Sequence, residues 1–166
     1  MSRDLMLHQR GFTIIEILLV IVIMGIMATI AAPSFVAFTS SQKVKTASFD
    51  VYAALVFARS EAIKRRQNVT VTPEGGDWKD GWTVTTPDPA NPLNTLTLRK
   101  QDPLSGVVFA GPASVVYRLD GRLTSTAAQG VLIQPQIADA SIKNRCIRVD
   151  LTGLPKSTNT DTTTCP

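Results

Sequence analysis

The side chains of this sequence with chemistry to offer are few: two cysteines, one histidine, and one glutamate set inside a long apolar run. His8 is the only histidine, so a His-based triad, a histidine metal cluster and a histidine proton shuttle are all out of reach. No G-x-S-x-G, P-loop or paired-carboxylate arrangement occurs, so no catalytic residue, cofactor or metal is expected and the chain does not read as an enzyme. Asp77 and Asp80 flank Trp78, but two carboxylates with this glycine spacing do not make an EF-hand, and the segment reads as a turn with solvated charges. Asn68-Val69-Thr70 matches a glycosylation acceptor by pattern alone, at the entry to a strand. Cys146 and Cys165 form an even pair without C-x-x-C spacing. That leaves Glu16.

Glu16 lies in residues 12–32, a stretch whose only other polar side chains are Thr13 and Thr29. As a helix this stretch would be about 31 Å long, close to the hydrocarbon thickness of a bilayer. It is too uniformly apolar for one face of a soluble helix. A cleaved secretory signal fits poorly, because the small pair Ala31-Ala32 is followed at once by Pro33 and because a signal has no use for Glu16. An acidic group in such a segment costs about 2.5–3.5 kcal/mol on insertion scales, so it calls for a cationic partner. The next lysine or arginine after it is Lys43. The partner must therefore come from another chain or from a newly made amino terminus.

Arg10-Gly11-Phe12-Thr13-Ile14-Ile15-Glu16, opening a long apolar helix, resembles the processing site of type IV pilin-like proteins. The resemblance implies cleavage between Gly11 and Phe12 by a prepilin peptidase and N-methylation of Phe12. Glu16 then becomes the fifth residue of the mature chain, facing the Phe12 amine of a neighbouring subunit during assembly. Residues 1–11 hold Arg3, Arg10 and Asp4 and read as a leader kept in the cytoplasm by the positive-inside rule. The body then lies across the inner membrane, in the periplasm, where disulfides persist. In that compartment Cys146 and Cys165 are expected to form a bridge tying the C-terminal tail to the last strand.

Beyond residue 32 the helical pattern continues. Pro33 should bend the helix without ending it, since residues 34–67 hold no Gly or Pro. Ala47, Val51, Ala54, Leu55, Ala58 and Ala62 recur at spacings of three and four, an apolar stripe that Phe49, Tyr52, Val56 and Ile63 are expected to widen. Lys64-Arg65-Arg66 closes the helix and complements the negative end of its dipole. From Asn68 the period changes to two. Strands are expected at residues 69–72, 82–85, 95–98, 115–119, 131–133 and 146–149, with turns at Gly75-Gly76-Asp77, Pro87-Asp88-Pro89, Asp120-Gly121 and Thr152-Gly153.

The expected fold is therefore α+β and pilin-like: a long, partly transmembrane N-terminal helix packed on an antiparallel β-sheet domain of six or seven short strands. Its parts are a leader at 1–11, a helix at 12–67 with its membrane part at 12–32, and a periplasmic β domain at 68–166. A hydrophobic content of 44% excludes disorder driven by composition.

Ala58-Arg59-Ser60-Glu61-Ala62-Ile63-Lys64-Arg65, then Val69-Thr70-Val71 and Asp80-Gly81-Trp82, resemble the GspH/FimT/FimU group of minor pilins and pseudopilins. The resemblance implies an inner-membrane protein that enters a type IV pilus or a type II secretion pseudopilus, with other major and minor pilins as partners through the N-terminal helix. FimT binds DNA through a C-terminal Gly-Arg-x-Arg element. This chain reads Gly153-Leu154-Pro155-Lys156 there, with both arginines replaced. A DNA contact would fall to Lys143, Arg145, Arg148 and Lys156, interspersed with Asp139, Asp150 and Asp161. A net charge of +4 allows nucleic acid without implying it. The reading is a FimU-like structural subunit that helps initiate or cap the filament, with DNA not expected as a partner.

Overall fold

The computed structural model describes residues 12–137 and 141–165, and only the backbone of residues 30–33. Residues 1–11, expected as a leader and including Gly11, lie outside the described residues, as do Asp139 and the side chain of Pro33, where a bend is expected. One long helix, α1 (Ile14–Arg65), is followed by eight strands: β1 (Val69–Pro73), β2 (Trp82–Pro87), β3 (Thr95–Gln101), β4 (Val107–Ala110), β5 (Val115–Tyr117), β6 (Gln129–Pro135), β7 (Asn144–Val149) and β8 (Pro155–Thr160). The chain divides into two compact units, Met1–Val36 and Ala37–Pro166.

In the second unit the strands form two four-stranded sheets, ordered β3-β2-β1-β5 and β4-β6-β7-β8, with every pairing antiparallel. The α+β class is as the residue patterns require, with two sheets in place of one. The core forms where α1 meets both. Val44, Ala47, Val51, Ala54, Leu55, Ala58 and Ala62 are buried on one helix face. Val69, Val71, Val84, Val115 and Tyr117 meet them from the first sheet, and Val131, Ile133, Ile147 and Val149 from the second. Cross-strand register aligns Val84, Val71 and Val115 in one row, so three strands present valines to the helix at one level.

Four residues expected to widen the helix stripe do not. Phe49, Tyr52, Val56 and Ile63 are 36–68% exposed. At about 100° per residue they fall on the far side of α1 from Val51, beyond the arc that the sheets cover.

The helix stops without glycine. Arg66 takes a left-handed φ of 52°, and Gln67 N–H donates to the Ala62 carbonyl at 3.3 Å, a Schellman-type closure. Glu61, almost buried, accepts from Arg65 Nε at 2.6 Å and has Lys64 at 3.6 Å. The Arg65 hydrogen bond holds the Glu61 carboxyl below the usual glutamate range. The terminal cations therefore serve a neighbouring carboxylate as well as the helix dipole.

Two strands are additions to the sequence expectation. One is β4, a four-residue run, and the other is β8, formed by the polar tail. Asn144, Cys146 and Arg148 of β7 pair with Thr160, Thr158 and Lys156 of β8. The expected tie between tail and last strand exists, but the tail is itself the last strand. Beyond it the chain returns over the outer face of the second sheet, where Asn144 Nδ2 donates to the Thr162 carbonyl at 3.2 Å. Cys165 reaches Cys146 there in a disulfide with Cα atoms 5.3 Å apart. Cys146 and Leu132 are buried on this face.

The bridge sits on Gly130. A Cβ at that position would lie 2.5 Å from the Cys165 sulfur and 2.9 Å from its Cβ, so only glycine leaves room for the returning tail. Closure of a loop of this size stabilises by about 3 kcal/mol in the chain-entropy model. Gly130→Ala should cost about 1–3 kcal/mol by overpacking and leave Cys165 reactive to thiol reagents. In a Cys146→Ala/Cys165→Ala background the same substitution should cost much less. Denaturant unfolding of the four proteins tests this, and equal costs in both backgrounds would refute it.

Candidate functional site

At the start of α1 the geometry is that of a capped helix. The Thr13 hydroxyl accepts from Glu16 N–H at 3.3 Å, and the Thr13 carbonyl accepts from Ile17 N–H at 3.3 Å. Thr13 is thus the N-cap, and Thr13-Ile14-Ile15-Glu16 has the T-x-x-E spacing of a capping box. The sequence reading missed this although the spacing was visible. Glu16 stands in the first turn, where the helix dipole favours a negative charge. Among the described residues no cation pairs with it, and Phe12 is 80% exposed.

Around Glu16 the surface is apolar on every side. All the isoleucine, leucine, valine and methionine side chains of residues 14–27 are 44–82% exposed within the chain. Such a surface is stable only inside an apolar medium or against other apolar helices. Among the described residues no single helix is long and apolar enough to cross a membrane. Ile14–Thr29 and Ser34–Arg65 meet that criterion only as a pair.

The four basic residues considered for DNA are not assembled into one surface. Residues alternate faces along a strand. Arg145 shares the face of Ile147 and Val149, which is turned to α1, whereas Arg148 lies on the opposite face. Lys156 is directly opposite Arg148 in the register and shares its face. Lys143 is held by Asp161, with Nζ and Oδ1 2.7 Å apart. The sequence segment where a Gly-Arg-x-Arg element would stand is a turn leading into β8. There Asp150 accepts from the Thr152 hydroxyl and from Thr152 N–H, and the Thr152 hydroxyl is the main reason its carboxyl lies below the usual aspartate range.

That turn packs on another. Gly153 has φ of 82°, and a Cβ there would come within 1.9 Å of the Gly121 carbonyl oxygen. The same carbonyl accepts from Arg59 Nε of α1 at 3.1 Å. Arg59, Gly121 and Gly153 therefore join helix, first sheet and second sheet at one point, a junction that sequence spacing alone does not reveal. Asp77 and Asp80 belong to a tight turn as expected: the Asp77 side chain caps it by accepting from Lys79 N–H at 2.9 Å. Among the described residues no group of three or more potential metal ligands occurs.

Comparison with known proteins places this architecture. The prokaryotic N-terminal methylation motif matches residues 6–32. Two curated fimbrial proteins of Pseudomonas aeruginosa are each 34% identical over 79 residues, 47% of this chain and 51% of theirs, so the chain spans about half the length of the curated relatives it matches. Two crystal structures of the type IV minor pilin FimU of Pseudomonas aeruginosa share the fold. One has a TM-score of 0.60 at 18% identity, covering 78% of this chain and 96% of that one. The other has a TM-score of 0.56 at 17% identity, covering 74% and 96%. The family described as type II transport protein GspH matches residues 47–153, well over half of the sequence. The chain belongs to the GspH family of type IV pilin-like proteins.

Proposed function

We propose that the chain is a minor pilin of a type IV pilus, a structural subunit that helps initiate or cap the filament. The observation that carries this reading is a helix with apolar side chains exposed all round, a carboxylate in its first turn that no cation among the described residues pairs with, and a FimU-like β domain in the same chain. Residues 1–11 are the leader, 12–67 the helix with 12–32 in the inner membrane, and 68–166 the periplasmic domain. A prepilin peptidase cuts between Gly11 and Phe12, and Phe12 is N-methylated. Glu16 then receives the Phe12 amine of a neighbouring pilin, a charge pair in low dielectric that aligns one helix against the next. The family description names type II transport, so a pseudopilin of a secretion system is the second reading. Deleting the gene discriminates the two: loss of pili supports the first, and loss of protein secretion with intact pili supports the second.

Three further outcomes are expected. Mass spectrometry of the membrane-derived protein should find N-methylated Phe12 at the terminus, and an intact Met1 would sink the processing claim. Glu16→Leu should insert into membrane at least as well as the parent, since it removes a cost of about 2.5–3.5 kcal/mol, yet incorporate poorly into filaments. Equal incorporation would overturn the pairing. Finally, three or four phosphate contacts give a salt slope of only about −3 to −4, and the basic residues are divided between faces. Duplex DNA should therefore not shift the protein in a gel at about 150 mM salt. Submicromolar binding lost in Arg145→Ala/Arg148→Ala would replace the structural reading with that of a DNA-uptake pilin.

A further inference from the structure

At the edge of the second sheet, beside the early turns of α1 in the Ala37–Pro166 unit, a pocket of about 140 Å³ opens between Ser41 and Lys45 on the helix and Ser141, Lys143, Arg145 and Asn159 on the strand side. Ser41 and Lys45 are one helical turn apart and share a face. Arg145 and Asn159 are direct cross-strand partners in the β7–β8 register, on the sheet face turned towards α1. Three cations and three neutral hydrogen-bonding side chains thus converge, and among the described residues no carboxylate lines the space.

Two of the cations are uncommitted. Arg145 is half-buried, and among the described residues neither its guanidinium nor the Lys45 ammonium has an ion pair or a side-chain hydrogen bond. Lys143 is shared with Asp161, but both partners are more than half exposed, and such pairs are weak. A half-buried guanidinium with five N–H donors is poorly served by solvent on one side only. The volume equals about four or five waters of liquid, room for one tetrahedral oxyanion with its remaining hydration.

We infer that this pocket binds a phosphate group, with Arg145 as the forked donor, Lys45 and Lys143 as flanking charges, and Ser41 and Asn159 as hydrogen-bond donors. The chemistry fits a free phosphate or the headgroup of an anionic phospholipid. Chain position favours the headgroup. Ser41 follows residue 32 by nine residues, a reach of at most about 30 Å, so a bilayer holding the apolar segment is accessible to the pocket. Basic residues next to a membrane segment also gain from anionic headgroups. Only this choice of source rests on the membrane anchoring proposed above; the pocket's affinity for phosphate does not.

The test uses the full chain in a neutral detergent, with bound phosphatidylglycerol counted by native mass spectrometry. Lys45→Gln/Arg145→Gln should weaken retention about tenfold, as expected for losing charge-assisted hydrogen bonds. Arg148→Gln/Lys156→Gln removes the same charge from the opposite face and should leave retention unchanged. Non-reducing mass measurement of the Cys146–Cys165 bond reports whether each variant has folded. Lys45→Gln alone, an exposed helix position, serves where the double variant does not fold and should weaken binding severalfold. Inorganic phosphate separates the sources. If it displaces phosphatidylglycerol at matched concentration, the ligand is free phosphate; if lipid persists against a large excess, the ligand is the headgroup. Equal loss in both double variants, or no loss in either, overturns the pocket.

Discussion

The architecture depends on one helix face that both sheets cover. Ala47, Ala54, Ala58 and Ala62 present only methyl groups on that face, and Val51 and Leu55 between them are enclosed completely. Larger side chains on that arc would hold the sheets away and open gaps beside the valine row, and each buried methylene gained or lost in such a core is felt at about 1 kcal/mol. At the junction of Arg59, Gly121 and Gly153 two turns touch backbone to backbone. Glycine there is a steric requirement, because any side chain at 153 would strike the Gly121 carbonyl.

Much of this was legible in the sequence because it rests on periodicity. The change from a three-to-four spacing to a spacing of two near Asn68 marks the passage from helix to strands, and α1 ends at Arg65 within two residues of the expected end. What was not legible has definite causes. Phe49 and Tyr52 look like core residues by type, but burial depends on which arc the sheets cover, and large apolar side chains are often left outside. The strand β8 carries no apolar pattern, because it is an edge strand held by its ladder with β7 and by the disulfide rather than by side-chain burial. The four-residue β4 is too short to show alternation.

The candidate site divides in the same way. The roles proposed for Phe12 and Glu16 could be read from the sequence because they rest on neighbours within one turn. The basic residues of β7 and β8 were not separable by sequence, since register decides which of them share a face. Arg145 and Arg148 are three apart and both cationic, yet strand alternation sends one towards the helix and the other away. A shift of one residue would exchange their positions.

Two open sheets leave four strand edges, and their composition has a consequence for how copies of this domain can crowd together. The edge strands β4 and β5 are four and three residues long, too short to template another strand well. Edge β3 carries Arg99 and Lys100 just before its last residue, and edge β8 begins with Pro155, which lacks an N–H, and has Lys156 next. Each edge is therefore blunted by brevity, positive charge or proline. Packed at high local concentration, these domains have little tendency to join sheet to sheet into amyloid-like ribbons. In the filament proposed above, polymerisation is left to the helix, whose contacts can be made and released in an apolar medium without unravelling the fold.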